Sequence, residues 1–292
     1  MVHFFFVLLF LFSTTTYAKI TSYEINPKHK KLQHIKILDT KKLQFSKMSE
    51  LSALAYKDGI LYALSDKGIL FHFKIKIKNK KIKSLKLLDR FPLKMQNLKG
   101  KKIDSEGMVL VENSLLISFE RVPKIALFTL NAKSKKLKKR YKLHKELQNP
   151  KHYTGKNKML EALVYSKKYG VISVAEKPYL SKKNHIIYGS NEFWKIPNRG
   201  DISAMELVSK HKLLILQRKF NFLTRKRVLT FVILNLKKGN SKVIAKLTSS
   251  DGWRLDNFEG LTKVKKNLYL MVSDDNNSFF QKTLLVLFQL QE

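Results

Sequence analysis

Hydrophobic positions in this chain fall into short alternating or continuous runs, bounded by clusters of Gly, Asn, Asp, Ser, Pro and Lys. Helix-period stretches are scarce, so the pattern is one of strands and turns. Five pairs of runs share a common plan. An apolar run opens on Ser52-Ala53-Leu54, Glu106-Gly107-Met108, Glu161-Ala162-Leu163, Ser203-Ala204-Met205 or Glu259-Gly260-Leu261. It reaches a turn at Asp58-Gly59, Glu112-Asn113-Ser114, Lys167 to Gly170, Ser209 to Lys212 or Lys265-Lys266-Asn267. A second run returns to Asp66, Glu120, Glu176, Gln217-Arg218 or Asp274. In an antiparallel hairpin the start of the first strand lies opposite the end of the second. Equal spacing from the turns therefore predicts the pairs Ser52–Asp66, Glu106–Glu120, Glu161–Glu176 and Glu259–Asp274.

Beyond the hairpins, further strands are expected at Ile69 to Ile77 and Ile82 to Leu88, and at Lys124 to Leu130 and Leu137 to Leu143. Others are expected at His185 to Tyr188 and Glu192 to Ile196, and at Val228 to Leu236 and Lys242 to Leu247. The fifth unit has only Thr283 to Leu290 before the chain ends; its outer strand is expected from the amino-terminal segment around Gln33 to Leu38. Four-stranded units recurring in this way point to an all-β fold, a β-propeller of five blades closed by pairing of the two chain ends. Six blades is the alternative if a degenerate repeat is hidden. The first strand of each blade lines the central channel, which brings the repeated polar residues to one mostly acidic mouth. Gly107 and Gly260 then sit where inner strands crowd together.

Residues 1–18 stand apart from this pattern. Val2 to Phe12 is apolar apart from His3, and Thr16-Tyr17-Ala18 ends on a small residue. These are the proportions of a secretory signal, with an uncleaved anchor as the rival reading. Export to a periplasm or the medium is the expectation, with residues 19–292 forming one monomeric propeller domain and no transmembrane segment in the mature chain. The chain has no Cys, which excludes disulfides and thiolate metal sites.

The formal charge of +36 invites a nucleic-acid partner, but Lys outnumbers Arg by 50 to 8, whereas base and phosphate recognition favours Arg forks. The lysines are scattered through turns and strand edges, where they keep edges soluble. No nucleic-acid partner is expected; an anionic small molecule such as a phosphoester is.

The motifs resemble the phytase-like family described as "esterase-like activity of phytase". The resemblance rests on Asp104-Ser105-Glu106-Gly107-Met108, Ile117-Ser118-Phe119-Glu120-Arg121 and Leu216-Gln217-Arg218. It also rests on Asp256-Asn257-Phe258-Glu259-Gly260-Leu261 with Leu270-Met271-Val272-Ser273-Asp274-Asp275-Asn276-Asn277, and on Ser65-Asp66-Lys67-Gly68. The chain departs from the pattern with Ala162 in place of Gly, with Ser203 in place of a carboxylate, and with Gln217 where Glu-Arg is common. The family's name implies hydrolysis of phosphate or other esters.

An acidic mouth suits that chemistry if a hard cation is held there, and Ca²⁺ is the expected one. The candidate catalytic residues are Glu106, Glu259 and Glu120. Arg121 and Arg218 are the candidate substrate-binding residues, because a guanidinium grips phosphate through two parallel hydrogen bonds. Asp66, Glu161, Glu176 and Asp274 are the candidate metal ligands. Two alternatives stay open. The repeated carboxylates serve equally well to tie neighbouring blades together, and a non-catalytic envelope propeller would bind a small ligand, a glycan or a protein at the same mouth. No His-Glu-x-x-His spacing or Gly-x-Ser-x-Gly elbow offers another reaction.

Overall fold

A computed structural model describes residues 19–45, 48–94, 103–130, 135–155, 158–178 and 183–291. The leader expected at residues 1–18 lies outside them. Two strands come first, β1 (Lys19–Ser22) and β2 (Ile35–Gln44). Blade one follows as β3 (Leu51–Lys57), β4 (Ile60–Ser65), β5 (Ile69–Lys78) and β6 (Lys81–Lys94). Blade two is β7 (Ser105–Val111), β8 (Ser114–Phe119), β9 (Lys124–Thr129) and β10 (Lys135–Tyr141). Blade three is β11 (Leu160–Ser166), β12 (Gly170–Ala175), β13 (Asn184–Tyr188) and β14 (Phe193–Pro197). Blade four is β15 (Asp201–Ser209), β16 (Lys212–Phe220), β17 (Arg227–Asn235) and β18 (Ser241–Thr248). Blade five starts as β19 (Asn257–Lys265), β20 (Leu268–Asp274) and β21 (Leu284–Leu290).

The five inner strands β3, β7, β11, β15 and β19 adjoin one another in a ring, with β19 returning to β3. This is a five-bladed β-propeller. Blade five is completed by the start of the chain: β2 pairs antiparallel with β21 from Ile35–Leu290 to Lys42–Leu284, and β1 adds a fifth strand outside it. The closing strand is longer than the segment expected at 33–38. Pairing the two ends of the chain removes two sheet edges at once. Blades one and two are also joined at their outer edges, where β6 and β10 run parallel over Leu93–Lys94 and Lys135–Lys136.

The core lies between blades rather than within any one of them. Successive side chains of a strand point to opposite faces, so each second strand feeds two cores. Leu214 and Leu216 pack towards blade five, while Leu213 and Ile215 pack towards blade three. Leu268, Leu270 and Val272 face blade one, while Tyr269 and Met271 face blade four. Being buried on both faces is why these strands read as continuous apolar runs.

The hairpin register differs from equal spacing. All five inner hairpins are irregular at the motif, between Leu51 and Ala53, Ser105 and Met108, Leu160 and Leu163, Ile202 and Ala204, and Phe258 and Gly260. The Asp66 N–H therefore bonds to the Glu50 carbonyl, and those of Glu120 and Glu176 to Asp104 and Met159. Asp274 pairs with Asn257 rather than Glu259. Bulges re-aim the side chains around them, and these turn each motif residue relative to its own hairpin partner.

Gly107 and Gly260 sit where the inner strands press together. A Cβ on Gly107 would lie 2.8 Å from the Glu161 carbonyl oxygen and 2.9 Å from the Leu163 nitrogen, across the blade two–three boundary. One on Gly260 would lie 3.1 Å from the Ala53 carbonyl carbon. Among the described residues, no helix is long and apolar enough to cross a membrane.

Candidate active site at the channel mouth

The mouth is the end of the channel where inner strands begin and second strands finish. Among the inner strands, the third motif residues Leu54, Met108, Leu163, Met205 and Leu261 line a space of only about 20 Å³, too small for a substrate.

Backbone ties position the rim. The Ser52 hydroxyl donates to the Ser105 carbonyl at 2.7 Å, and the Ser105 hydroxyl donates back to the Ser65 carbonyl at 2.7 Å. The Ser118 hydroxyl donates to the Glu161 carbonyl at 3.0 Å. Glu120 accepts from the Met159 N–H at 3.0 Å, and Asp275 accepts from the Glu50 N–H at 3.0 Å. Glu120 therefore ties blade two to blade three as well as standing in the mouth.

Two groups of carboxylates converge. One ligand atom from each of Asp104, Glu106 and Glu120 lies within 4.8 Å of the others, and the same holds for Glu120, Glu161 and Glu176. Asp66 and Asp274 belong to neither group. Burial is the main force on Glu106, Glu120, Glu161, Asp66 and Asp274, disfavouring their charged forms. Glu106 is held well above the usual carboxylate range by burial and then by Glu161. Glu161 is held well above it by burial and by Glu176, against the opposing pull of Arg218. Glu120 is pushed up to about 7 by burial. Asp66 is pushed to about 7 by burial and by Glu50, and Asp274 to about 8 by burial and by Glu259.

Arg218 stands opposite. At the two motif positions blade four has Ser203 and Gln217 in place of carboxylates, its one acid there being Asp201 on the cleft wall beside Arg218. Gln217 accepts from the Arg199 N–H at 2.8 Å and donates to the Pro197 carbonyl at 3.2 Å. Arg218 fills the gap and spans the acids of the two flanking blades. It donates to Glu259 and Asn257 of blade five and, at 3.2 Å, to Glu176 of blade three, with Glu161 at 3.8 Å. These carboxylates hold the guanidinium firmly charged despite its burial. Lys158 adds a second cation, 2.8 Å from Glu176. Arg121 is more exposed, at the outer rim, and pairs with Asp104.

Beside Arg218 opens a cleft of about 310 Å³, whose walls include Lys158, Lys219, Arg227, Glu176 and Glu259. Glu176 thus belongs both to the acidic groups and to the cation-lined cleft. Of the nine candidate residues, Glu106, Glu120, Glu161, Glu176, Glu259 and Arg218 lie together around this centre. Asp66 and Asp274 flank it, and Arg121 reaches it only through Asp104. Asp104, Asn257 and Lys158 were not singled out from the sequence. The first two each stand two residues before a motif Glu, and that was the available signal. Lys158 carried none among so many lysines.

A family profile, phytase-like, "esterase-like activity of phytase", matches residues 46–277. The chain belongs to the phytase-like family. Within it, the matched span contains every residue of the mouth described above. No curated protein sequence matches the chain. Among solved structures, it is similar to the PQQ-bound form of an aldose sugar dehydrogenase from Streptomyces coelicolor at 8% identity, covering 88% of this chain and 98% of that one, with a TM-score of 0.51. Myxococcus xanthus glutaminyl cyclase gives 8% identity over 90% of this chain and 100% of that one, with a TM-score of 0.49. At these identities the likeness is one of propeller fold alone.

Proposed function

We propose that this phytase-like propeller is a hydrolase of phosphoesters or related anionic esters, assisted by a divalent cation, acting at the channel mouth. One observation carries the reading: two carboxylate groups meet at Glu120, and the second of them, through Glu176, forms a wall of the arginine-lined cleft. The donor set fits a hard cation, because the clustered side chains are all carboxylates, with no His or Cys among them. Asp104, Glu106 and Glu120 would hold it, since Arg218 and Lys158 do not enter their group and Arg121 pairs there with Asp104 alone. When bound, Ca²⁺ supplies charge that offsets carboxylate repulsion and polarises a phosphate oxygen.

The chain's own residues supply the rest. Arg218, with Lys158, Lys219 and Arg227 around the cleft, holds the anionic oxygens of the ester. Glu259, on the cleft wall, takes a proton from the attacking water as its oxygen bonds to phosphorus and the ester P–O bond breaks. The leaving alkoxide takes its proton from a second buried carboxyl, for which Asp274 is the candidate: it lies close enough to Glu259 for burial and that neighbour to push it up to about 8. The apolar run of Val2 to Phe12 supports export to a periplasm or the medium.

The test is turnover of a panel of phosphoesters and carboxylesters with Ca²⁺ and with chelator, using the protein beside its Glu106→Gln and Glu259→Gln variants. Turnover is expected with Ca²⁺ alone, and a fall of about a hundredfold or more in each folded variant. Turnover that persists under chelation and in both variants contradicts the reading.

A further inference from the structure

The loops at the mouth end carry bare hydrophobic tips. Phe222 and Leu223, between β16 and β17, are 70% and 92% exposed; Phe279 and Phe280, between β20 and β21, are 97% and 85% exposed. The β16–β17 hairpin projects outward. β15 ends its pairing with it at Asp201–Arg218, whereas Lys219 and Phe220 pair on with Val228 and Arg227 alone. Both loops rise from one place: Phe220 and Arg227 at the root of the first, and Asn276 and Gln281 in the second, line the 310 Å³ cleft. Among the described residues, the other strongly exposed apolar side chains are Val122, Phe220, Leu88 and Phe193. The first two also belong to the mouth end, and Phe193 to the opposite end.

Cations accompany the first of these loops. The Arg225 guanidinium lies 4.7 Å from the Phe222 ring centre and that of Arg227 5.1 Å from Phe220. Beneath the hairpin runs a groove of about 460 Å³ lined by Arg199, Lys219, Lys226 and Lys246, and no carboxylate lines it. Exposed pairs of large apolar side chains are costly in water and stable at the boundary between headgroups and acyl chains. Basic side chains at the same depth meet the phosphates of anionic lipids.

We propose that the mouth end docks on an anionic phospholipid bilayer. The two aromatic tips enter the headgroup boundary, the basic groove takes lipid phosphates, and the cleft at Arg218 faces the membrane surface. A protein partner would also cover apolar tips. The acid-free cationic groove under the hairpin favours a phosphate-rich surface.

The test is co-sedimentation of the full chain with sucrose-loaded vesicles of phosphatidylcholine containing about one-third phosphatidylglycerol, and with phosphatidylcholine vesicles alone. Binding to the anionic vesicles is expected, weakening as salt is raised. The combined Phe222→Ser, Leu223→Ser, Phe279→Ser and Phe280→Ser variant keeps the charge and the cleft-lining residues, and should bind about tenfold or more weakly. Phe193→Ser, at the far end, should bind as the parent does. No binding to anionic vesicles overturns the proposal. Undiminished binding by the quadruple variant also overturns it, because attraction by the net positive charge would then be sufficient.

Discussion

At the scale of single residues, Arg218 decides the electrostatics of the mouth. Its guanidinium is shared by Glu161, Glu176 and Glu259, from blades on either side of its own. Removing one partner of a buried ionic group leaves the rest uncompensated. Arg218→Met is therefore expected to lower unfolding free energy by about 2–4 kcal/mol at about pH 8, discounted for the partial exposure of the arginine. The loss should shrink towards pH 5, because burial holds Glu161 and Glu259 above the usual carboxylate range and they take up protons there and no longer repel. Urea midpoints at the two pH values measure both. Gly107 is decided by space alone. Ala there would set a Cβ against backbone atoms of Glu161 and Leu163, which cannot swing aside as a side-chain tip would. Gly107→Ala is expected to cost about 1–3 kcal/mol, read from the same denaturation curves, with blades two and three loosened at their shared boundary.

At the scale of elements, the hairpins were legible because each second strand is apolar on both faces and each turn carries its own chemistry. Asp58 and Gly59 both have positive φ, at 49° and 82°, as a tight hairpin turn with Gly in second place requires. The closing strand was legible because the fifth unit shows three strands where the others show four, and the segment around 33–38 reads as a strand outside every hairpin. The bulges were not legible. An extra residue in a strand leaves no mark on the alternation when the strand is apolar on both sides, so counting from the turn paired Glu259 with Asp274 where the structure pairs Asn257. The reach of Arg218 was hidden for a similar reason. Its register gave its height on β16, but its partners depend on how blades three and five lean towards blade four, which no single hairpin encodes. Asp104 and Asn257 enter the site because the bulges bring residues on both sides of the motif to the rim.

At the scale of the whole molecule, the ring concentrates acid where the fold excludes water, and stability then depends on pH. Asp66, Glu120 and Asp274 bind protons up to about 7, about 7 and about 8 when folded, against ordinary values of 3.8 to 4.5. The native state therefore holds more protons than the unfolded chain between about pH 4 and about pH 8, and stability contributed by these groups falls as pH rises through that window. In chelator, the melting temperature should be lower at about pH 8 than at about pH 5, and the Asp66→Asn, Asp274→Asn double variant should flatten the difference. A cation held with Glu120 as a ligand would oppose Glu120's share of this loss by favouring its charged form. The most direct test of the account is therefore calorimetric titration of Ca²⁺ into the chelator-stripped protein at about pH 8, beside Glu106→Gln. The account predicts saturable binding that weakens as pH falls and is lost in the folded variant. No binding by the parent protein, or equal binding by Glu106→Gln, would contradict a cation-assisted site at the propeller mouth.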